Sequence, residues 1–422
     1  ELEFMLGFAE AKLLVVPKTF RGHDHEAMAR DLQEKLPHLR HVAVVDGTGD
    51  NAFDKLLLGR TERLEASGEG VQPDDASILM YTSGTTGSPK GAVHTSNTLV
   101  ACTTALSRRF HLDASDVLFA CSPLGHMTGF AAAFLLAIRV GATAVFQDVW
   151  DAKRGVDLMA AEGATYMAAA TPFLSDICEA VASGSRRPAQ LRSFLCAGAT
   201  IPPVLIERAA RELNLPVSSL WGMTEALSAT LTEPERAADK SATSDGRPLE
   251  GVAVKVTDDA GEELPPGQSG RLLVRGAQMF IGYYKRPDLP TFDADGWFDT
   301  GDLARMDDEG FIRITGRIKD VLIRGGENVP VVEIEALLHK HPAVSSAAIV
   351  GYPDDRLGER ACAFLALRPG QSLDLAGVQA WMAENKVAKQ YWPERVEILP
   401  DLPRTPTGKV QKFVLRDAAT RH

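Results

Sequence analysis

The sequence predicts an α/β fold: a large N-terminal region of parallel strands and helices, a small β subdomain, and a compact α+β unit at the C-terminus. Two observations carry this. Up to about residue 220, short apolar runs alternate with segments of helical period, as in parallel strands joined by crossover helices. From Gly246 the pattern turns to short β-rich runs separated by turns, and the final stretch mixes both kinds.

The elements follow in order. Leu2, Met5, Leu6 and Ala9 share a helical face and run into an apolar strand at 12–17, then a helix at 24–36 and a strand at 41–46. A polar connection, 59–75, leads to a strand at 77–81, a Gly/Thr/Ser loop, and then a helix to about Arg108. Strands at 117–121, 143–146, 166–170 and 193–197 alternate with helices at 130–140, 151–162, 172–182 and 203–213. The runs 252–257 and 270–275 are the β subdomain. Beyond a boundary between Gly316 and Val321, helices at 332–339 and 375–384 accompany strands at 347–352, 362–367 and 395–399.

Composition narrows the function classes. Of 422 residues, 45% are hydrophobic and 24% charged, which excludes disordered and collagen-like chains. The best apolar run, 130–138, is far short of the roughly 20 residues a bilayer span needs. A net charge of −11 argues against nucleic acid or an anionic membrane surface as partner. The five cysteines lack CxxC spacing and read as buried reduced thiols of a cytoplasmic protein. His23, His25, His339 and His341 form no convincing ligand set and are expected to be solvated.

The segment Tyr81-Thr82-Ser83-Gly84-Thr85-Thr86-Gly87-Ser88-Pro89-Lys90-Gly91 carries the sharpest chemistry. Its glycines let a backbone approach a ligand closely. Backbone N–H groups, the hydroxyls of Thr82, Ser83, Thr85 and Thr86, and the charge of Lys90 together suit phosphate oxygens. Lys90 follows Pro89 rather than a glycine, so this is not a Walker-type loop. A surface linker would rarely follow a buried-type strand directly.

Further motifs appear downstream: Trp221-Gly222-Met223-Thr224-Glu225, Gly296-Trp297-Phe298-Asp299-Thr300-Gly301-Asp302, Gly316-Arg317-Ile318-Lys319-Asp320, Arg324-Gly325-Gly326-Glu327-Asn328 and Pro403-Arg404-Thr405-Pro406-Thr407-Gly408-Lys409. In this order they resemble the adenylate-forming superfamily, and the whole chain is similar to its AMP-dependent acyl-CoA synthetases. Taken singly, Glu225 would be a surface carboxylate, Asp302 a turn residue, Trp221 core packing, and Lys319 and Lys409 solvated lysines.

The resemblance implies an ATP- and acyl-binding domain, 1–318, and a mobile cap, 319–422, that swings about Lys319. Thr82, Ser83, Gly84, Thr85, Thr86, Gly87 and Lys90 would cradle phosphate. Gly198, Ala199 and Thr200 would flank adenine, with Trp221, Gly222 and Met223 opposite. Thr224 would hydrogen-bond the α-phosphate, Glu225 would ligate Mg²⁺, and Asp302 and Arg317 would hold the ribose. Lys409 would stabilise charge on the transferring phosphate; Lys412 stands where the family usually has arginine. Gly325 and Gly326 would line the thiol tunnel after rotation. His126 would stand between the acyl pocket and the thiol entrance, or else be a core histidine.

The acyl pocket would draw on His126, the strand 166–170 (Ala168, Ala169, Ala170), Ala197, Met223 and Leu227, with no second cation, so the expected substrate is an apolar acid: medium-chain, alicyclic or aromatic. The implied reaction consumes ATP with Mg²⁺, releases pyrophosphate and passes the acyl group to coenzyme A, in cytoplasmic fatty-acid or related metabolism; the resemblance leaves room for a homodimer. Two alternatives stand: an adenylating enzyme that loads a separate carrier protein, and a silent nucleotide-binding fragment. The second arises because family members ordinarily carry a sizeable portion ahead of the position where Glu1 stands, so the large domain is expected to lack its front.

Overall fold

The computed structural model describes residues 1–58, 70–82, 90–198, 201–289, 291–325, 327–405 and 408–421. Among these, seven strands form the central sheet, in the spatial order Arg247–Pro248, Leu227–Leu231, Val217–Met223, Ser193–Ala197, Tyr166–Ala170, Val117–Ala120, Thr143–Phe146. The five strands from Val217–Met223 to Thr143–Phe146 are parallel, and the other two join antiparallel.

Strand alternation covers both faces of this sheet. Leu118, Tyr166, Ala168 and Leu195 pack with helix Ser96–Arg109 and the helical segment 127–140. Their neighbours Phe119, Met167, Ala169, Phe194 and Cys196 pack on the opposite face with helices Ala152–Glu162, Thr171–Ala182 and Pro203–Leu213. A period of two with both faces apolar is what a doubly covered parallel sheet requires. The expected helix at 130–140 begins earlier, at Met127, and winds as a π-helix over Phe130–Leu135.

The chain after the Gly/Thr/Ser segment differs from expectation: a strand, not a helix, comes next. Strand Ala76–Thr82 pairs antiparallel with strand Lys90–Thr95, so residues 83–89 connect the two arms of a hairpin, and helix Ser96–Arg109 starts only afterwards. Gly91-Ala92-Val93-His94-Thr95 is short and buried on both faces, so it lacks the polar/apolar alternation that marks a half-exposed strand. Strand Gly282–Tyr283 completes this three-stranded sheet against Lys90–Thr95.

Near the N-terminus, strands Leu13–Pro17 and His41–Val45 are parallel, with helix His25–Lys35 as their crossover. The β subdomain is a four-stranded antiparallel sheet, Val252–Thr257, Ser269–Gly276, Phe298–Met306, Ile312–Arg317. A 3₁₀ turn, Ile318–Asp320, then leads into the C-terminal unit. Its sheet combines Glu327–Val329, Leu322–Arg324, Gly358–Leu367 and Val344–Asp354 with the parallel strand Arg395–Ile398. It has its own core, including Ile334, Leu338, Ile349, Leu365 and Met382. His339 and His341 are half-buried rather than solvated, and His341 meets Trp381 edge-on at 4.9 Å. Among the described residues, no helix is long and apolar enough to cross a membrane.

Candidate active site

Lys409 brings the C-terminal unit into the large one. Its loop is a short hairpin: Arg404 and Val410 form a bridge, the Thr405 N–H donates to the Lys409 carbonyl (2.8 Å), and an Arg404 Nη donates to the Gly408 carbonyl (2.9 Å). Gly408, at φ +84°, passes so close to Pro172 that a Cβ would stand 3.0 Å from its Cγ. Lys409 and His126 line one cavity with Ser122, Pro123, Thr128, Ala170, Phe173, Ala197 and Gly198. Gly198 lies against Lys409, a Cβ there standing 3.6 Å from Lys409 Cε in ordinary contact, and its left-handed φ of +92° is what favours glycine. Burial lowers the Lys409 pKa, as does the charge of Arg317, while Asp302 and Glu225 pull it up. A lysine from one unit thus shares a desolvated site with two carboxylates and an arginine of the other.

Asp302 is 3% exposed and bonded at both oxygens. Oδ1 accepts from Arg317 Nε (2.9 Å), its direct cross-strand partner. Oδ2 accepts from the indole N–H of Trp221 (2.8 Å). Trp221 itself is buried among Ala226, Phe280 and Phe298, so packing and the bond to Asp302 account for it in the free protein. Gly222 sits at the register shift beside it, where a Cβ would meet the Leu227 carbonyl at 2.0 Å.

Thr224 and Glu225 occupy the turn between the antiparallel strands Val217–Met223 and Leu227–Leu231, and Glu225 is buried rather than a surface carboxylate. This turn is held from outside. His94, fully buried, contacts the Thr224 carbonyl through Nε2 (2.8 Å) and Thr98 Oγ1 through Nδ1 (3.1 Å). A carbonyl accepts only, so Nε2 carries the proton; burial lowers the His94 pKa and so favours this neutral ring. The Phe280 N–H donates to the Glu225 carbonyl (2.8 Å), and Gln278 Nε2 donates to the carbonyls of Ala226 (2.8 Å) and Ser228. Tyr283 donates its hydroxyl to Glu225 Oε1 (2.7 Å). Lys90 stands at the end of the hairpin, its Nζ 5.2 Å from the centre of the Tyr283 ring. Sequence reasoning missed His94, Gln278 and Tyr283, whose partners lie far along the chain.

His126 caps the helical segment, its Nδ1 accepting from the Thr128 N–H (3.1 Å). Burial, and then the nearby Lys409 charge, depress its pKa to about 4, so the ring is neutral at ordinary pH. Of the expected pocket residues, His126, Ala170 and Ala197 line the cavity, while Ala168 and Ala169 are buried in the sheet core. Met223 packs against the core around Trp221 instead. Leu227 is 3% exposed and buried with Met80, Leu99 and Leu106, because its positive φ (+52°) turns the chain inward after the Glu225 turn. Lys319 lies in the 3₁₀ turn between the two units. Gly325, with φ +61°, donates its N–H to the Leu357 carbonyl (2.8 Å). Lys412 is paired with Glu335 (2.7 Å). Thr82 ends its strand opposite Lys90. Ser83, Gly84, Thr85, Thr86, Gly87, Ala199, Thr200 and Gly326 lie outside the described residues.

A family model described as AMP-binding enzyme matches residues 1–284, and one described as AMP-binding enzyme C-terminal domain matches residues 333–409. The chain is 35% identical over 423 residues to the medium-chain fatty-acid–CoA ligase of Escherichia coli (strain K12), covering 99% of this chain and 74% of that one. It is 32% identical to the salicylyl-CoA synthase / salicylate adenylyltransferase of a Streptomyces species, covering 99% and 77% respectively. ATP-bound MatB from Rhodopseudomonas palustris superposes with a TM-score of 0.89 at 29% identity, covering 99% of this chain and 81% of that one. The apo structure of MatB superposes with a TM-score of 0.75.

Proposed function

The chain belongs to the AMP-binding enzyme family, as an AMP-forming acyl-CoA synthetase, and from that premise we propose how its residues divide the work. The enzyme adenylates a carboxylic acid with ATP and then transfers the acyl group to coenzyme A. In the first step a carboxylate oxygen bonds to the α-phosphorus and the bond to pyrophosphate breaks. In the second the coenzyme A sulfur bonds to the acyl carbon, AMP leaves, and the thiol proton passes to solvent. Neither step needs a covalent protein nucleophile. Catalysis of such phosphoryl transfer rests on positioning and on stabilising charge.

Lys409 supplies that charge in the first step. Its burial beside Gly198 and His126 is the observation that carries this reading. A lysine desolvated at a cost is expected where a phosphate anion will compensate it. Lys90 and Thr82, at the ends of the hairpin, hold the other phosphates. Asp302, oriented by Arg317 and Trp221, keeps lone pairs for ribose hydroxyls. Thr224 donates to the α-phosphate.

Glu225 suits Mg²⁺. Among the described residues no group of three or more His, Cys, Asp or Glu could hold a metal ion, so a single carboxylate with ATP oxygens fits the cation better than an all-protein cage. When bound, Mg²⁺ would neutralise phosphate charge. Lys319, in the turn between the units, is the pivot about which the cap would rotate to withdraw Lys409 and admit coenzyme A. The better superposition on ATP-bound than on apo MatB supports assigning the present arrangement to the adenylation step.

Around His126 the cavity offers Pro123, Ala170, Phe173 and Ala197, and Lys409 is its one cation among the described residues. That lining supports an acid whose acyl part is uncharged: medium-chain, alicyclic or aromatic. The test is pyrophosphate release across a panel of acids, followed by thioester formation with coenzyme A or holo-carrier protein. Apolar acids should turn over, with coenzyme A as acceptor. A dicarboxylate as best substrate would sink the pocket reading, and thioester formation on the carrier protein alone would replace the acceptor.

A further inference from the structure

Tyr283 touches two of the groups assigned to ATP, yet neither the motifs nor the relatives' names single it out. Lys90 and Ala92 are two residues apart on one strand, so their side chains share a face. Ala92 pairs with Tyr283 across the antiparallel ladder, which makes Lys90 the diagonal neighbour of Tyr283 on that face. The ring face accordingly meets the Lys90 ammonium at 5.2 Å, while the hydroxyl donates to Glu225 Oε1 at 2.7 Å. The ring is itself braced: Phe280 packs edge-on against it at 4.9 Å, and the Phe280 N–H holds the Glu225 carbonyl. One side chain therefore spans from the phosphate hairpin to the carboxylate turn.

We propose that Tyr283 is a positioning residue that orients Glu225 toward the divalent cation and seats Lys90 beside it; the inference rests on the reading of Glu225 as the Mg²⁺ ligand. A carboxylate has two oxygens, and a donor fixed on one leaves the other, in a single rotamer, for a cation. The aromatic face meanwhile gives Lys90 a contact that does not consume the carboxylate.

A double-mutant cycle in the full chain tests this, with Tyr283→Phe, Glu225→Gln and the pair. Mn²⁺ binding is read by electron paramagnetic resonance with α,β-methylene-ATP present, and thermal melts confirm folding. Tyr283→Phe should weaken Mn²⁺ binding roughly 10-fold, as loss of a group that orients a metal ligand does. Glu225→Gln should weaken it further, and the double variant should be no worse than Glu225→Gln alone. Wild-type Mn²⁺ affinity in a folded Tyr283→Phe chain, or additive losses in the double variant, would overturn the positioning role. Wild-type affinity in Glu225→Gln would instead overturn the metal reading beneath it.

Discussion

The indole N–H of Trp221 is donated to Oδ2 of Asp302 across 2.8 Å, tying the central sheet to the β subdomain at the proposed nucleotide site. Both residues are almost wholly buried, so the carboxylate cannot exchange this donor for water. Trp221→Phe should keep an aromatic ring in the cluster but strand that oxygen and leave a small void, costing at least about 1.5–3 kcal/mol, the range for a hydrogen bond to a charged group. The KM for ATP should rise several-fold. Urea unfolding and ATP titration of pyrophosphate release check the two effects, and an unchanged KM would separate Trp221 from nucleotide binding.

Lys409 is held at an energetic disadvantage, since burial and Arg317 both disfavour its charge. Lys409→Ala should therefore lose adenylation by roughly 10²–10³, the usual effect of removing one charge-stabilising donor. Conversion of supplied acyl-adenylate to thioester should survive. The folded protein should be no less stable, because a desolvated cation is gone. Equal loss of both half-reactions would defeat the assignment of this lysine to the first step.

The depressed pKa of His126 has a defined sign. Its value falls from 6.5 to about 4 on folding, so below pH 6.5 the unfolded chain binds the extra proton first. The associated stability is present in full above about pH 6.5 and is lost as pH falls toward 4, by at most about 3 kcal/mol. His126→Asn keeps an acceptor for the Thr128 N–H but does not titrate. Its urea midpoint should fall less than that of the wild-type chain between pH 7 and pH 4.5, and parallel falls would contradict the burial argument.

Gly222 is required by backbone proximity. A Cβ there would stand 2.0 Å from the Leu227 carbonyl, inside the bulge that turns the chain toward Glu225. Gly222→Ala should cost about 3 kcal/mol, at the upper end for overpacking, because the obstructing atom is main chain. Adenylation should fall with it. A urea midpoint within error of wild type would refute this.

Much was legible along the chain. Alternation of periods predicted the parallel strands from Val117–Ala120 to Ser193–Ala197 and the change of texture at the β subdomain, because burial on a sheet face or helix stripe is a local, periodic demand. Asp302, Arg317, Glu225 and Lys409 stood out only through the order of their motifs, since each taken singly reads as an ordinary turn or surface charge. What tertiary structure alone decided are the pairings. Lys90–Thr95 became the second arm of a hairpin through ladder bonds to strands 76–82 and 282–283. Leu227 turned into the core rather than the pocket, and Trp221 gave its N–H to a residue 81 positions away. His94 and Tyr283 could only be found once folding had brought them to the turn at Thr224 and Glu225. A hydrogen bond depends on distance and direction in space, and neither is encoded in the spacing of residues along a chain.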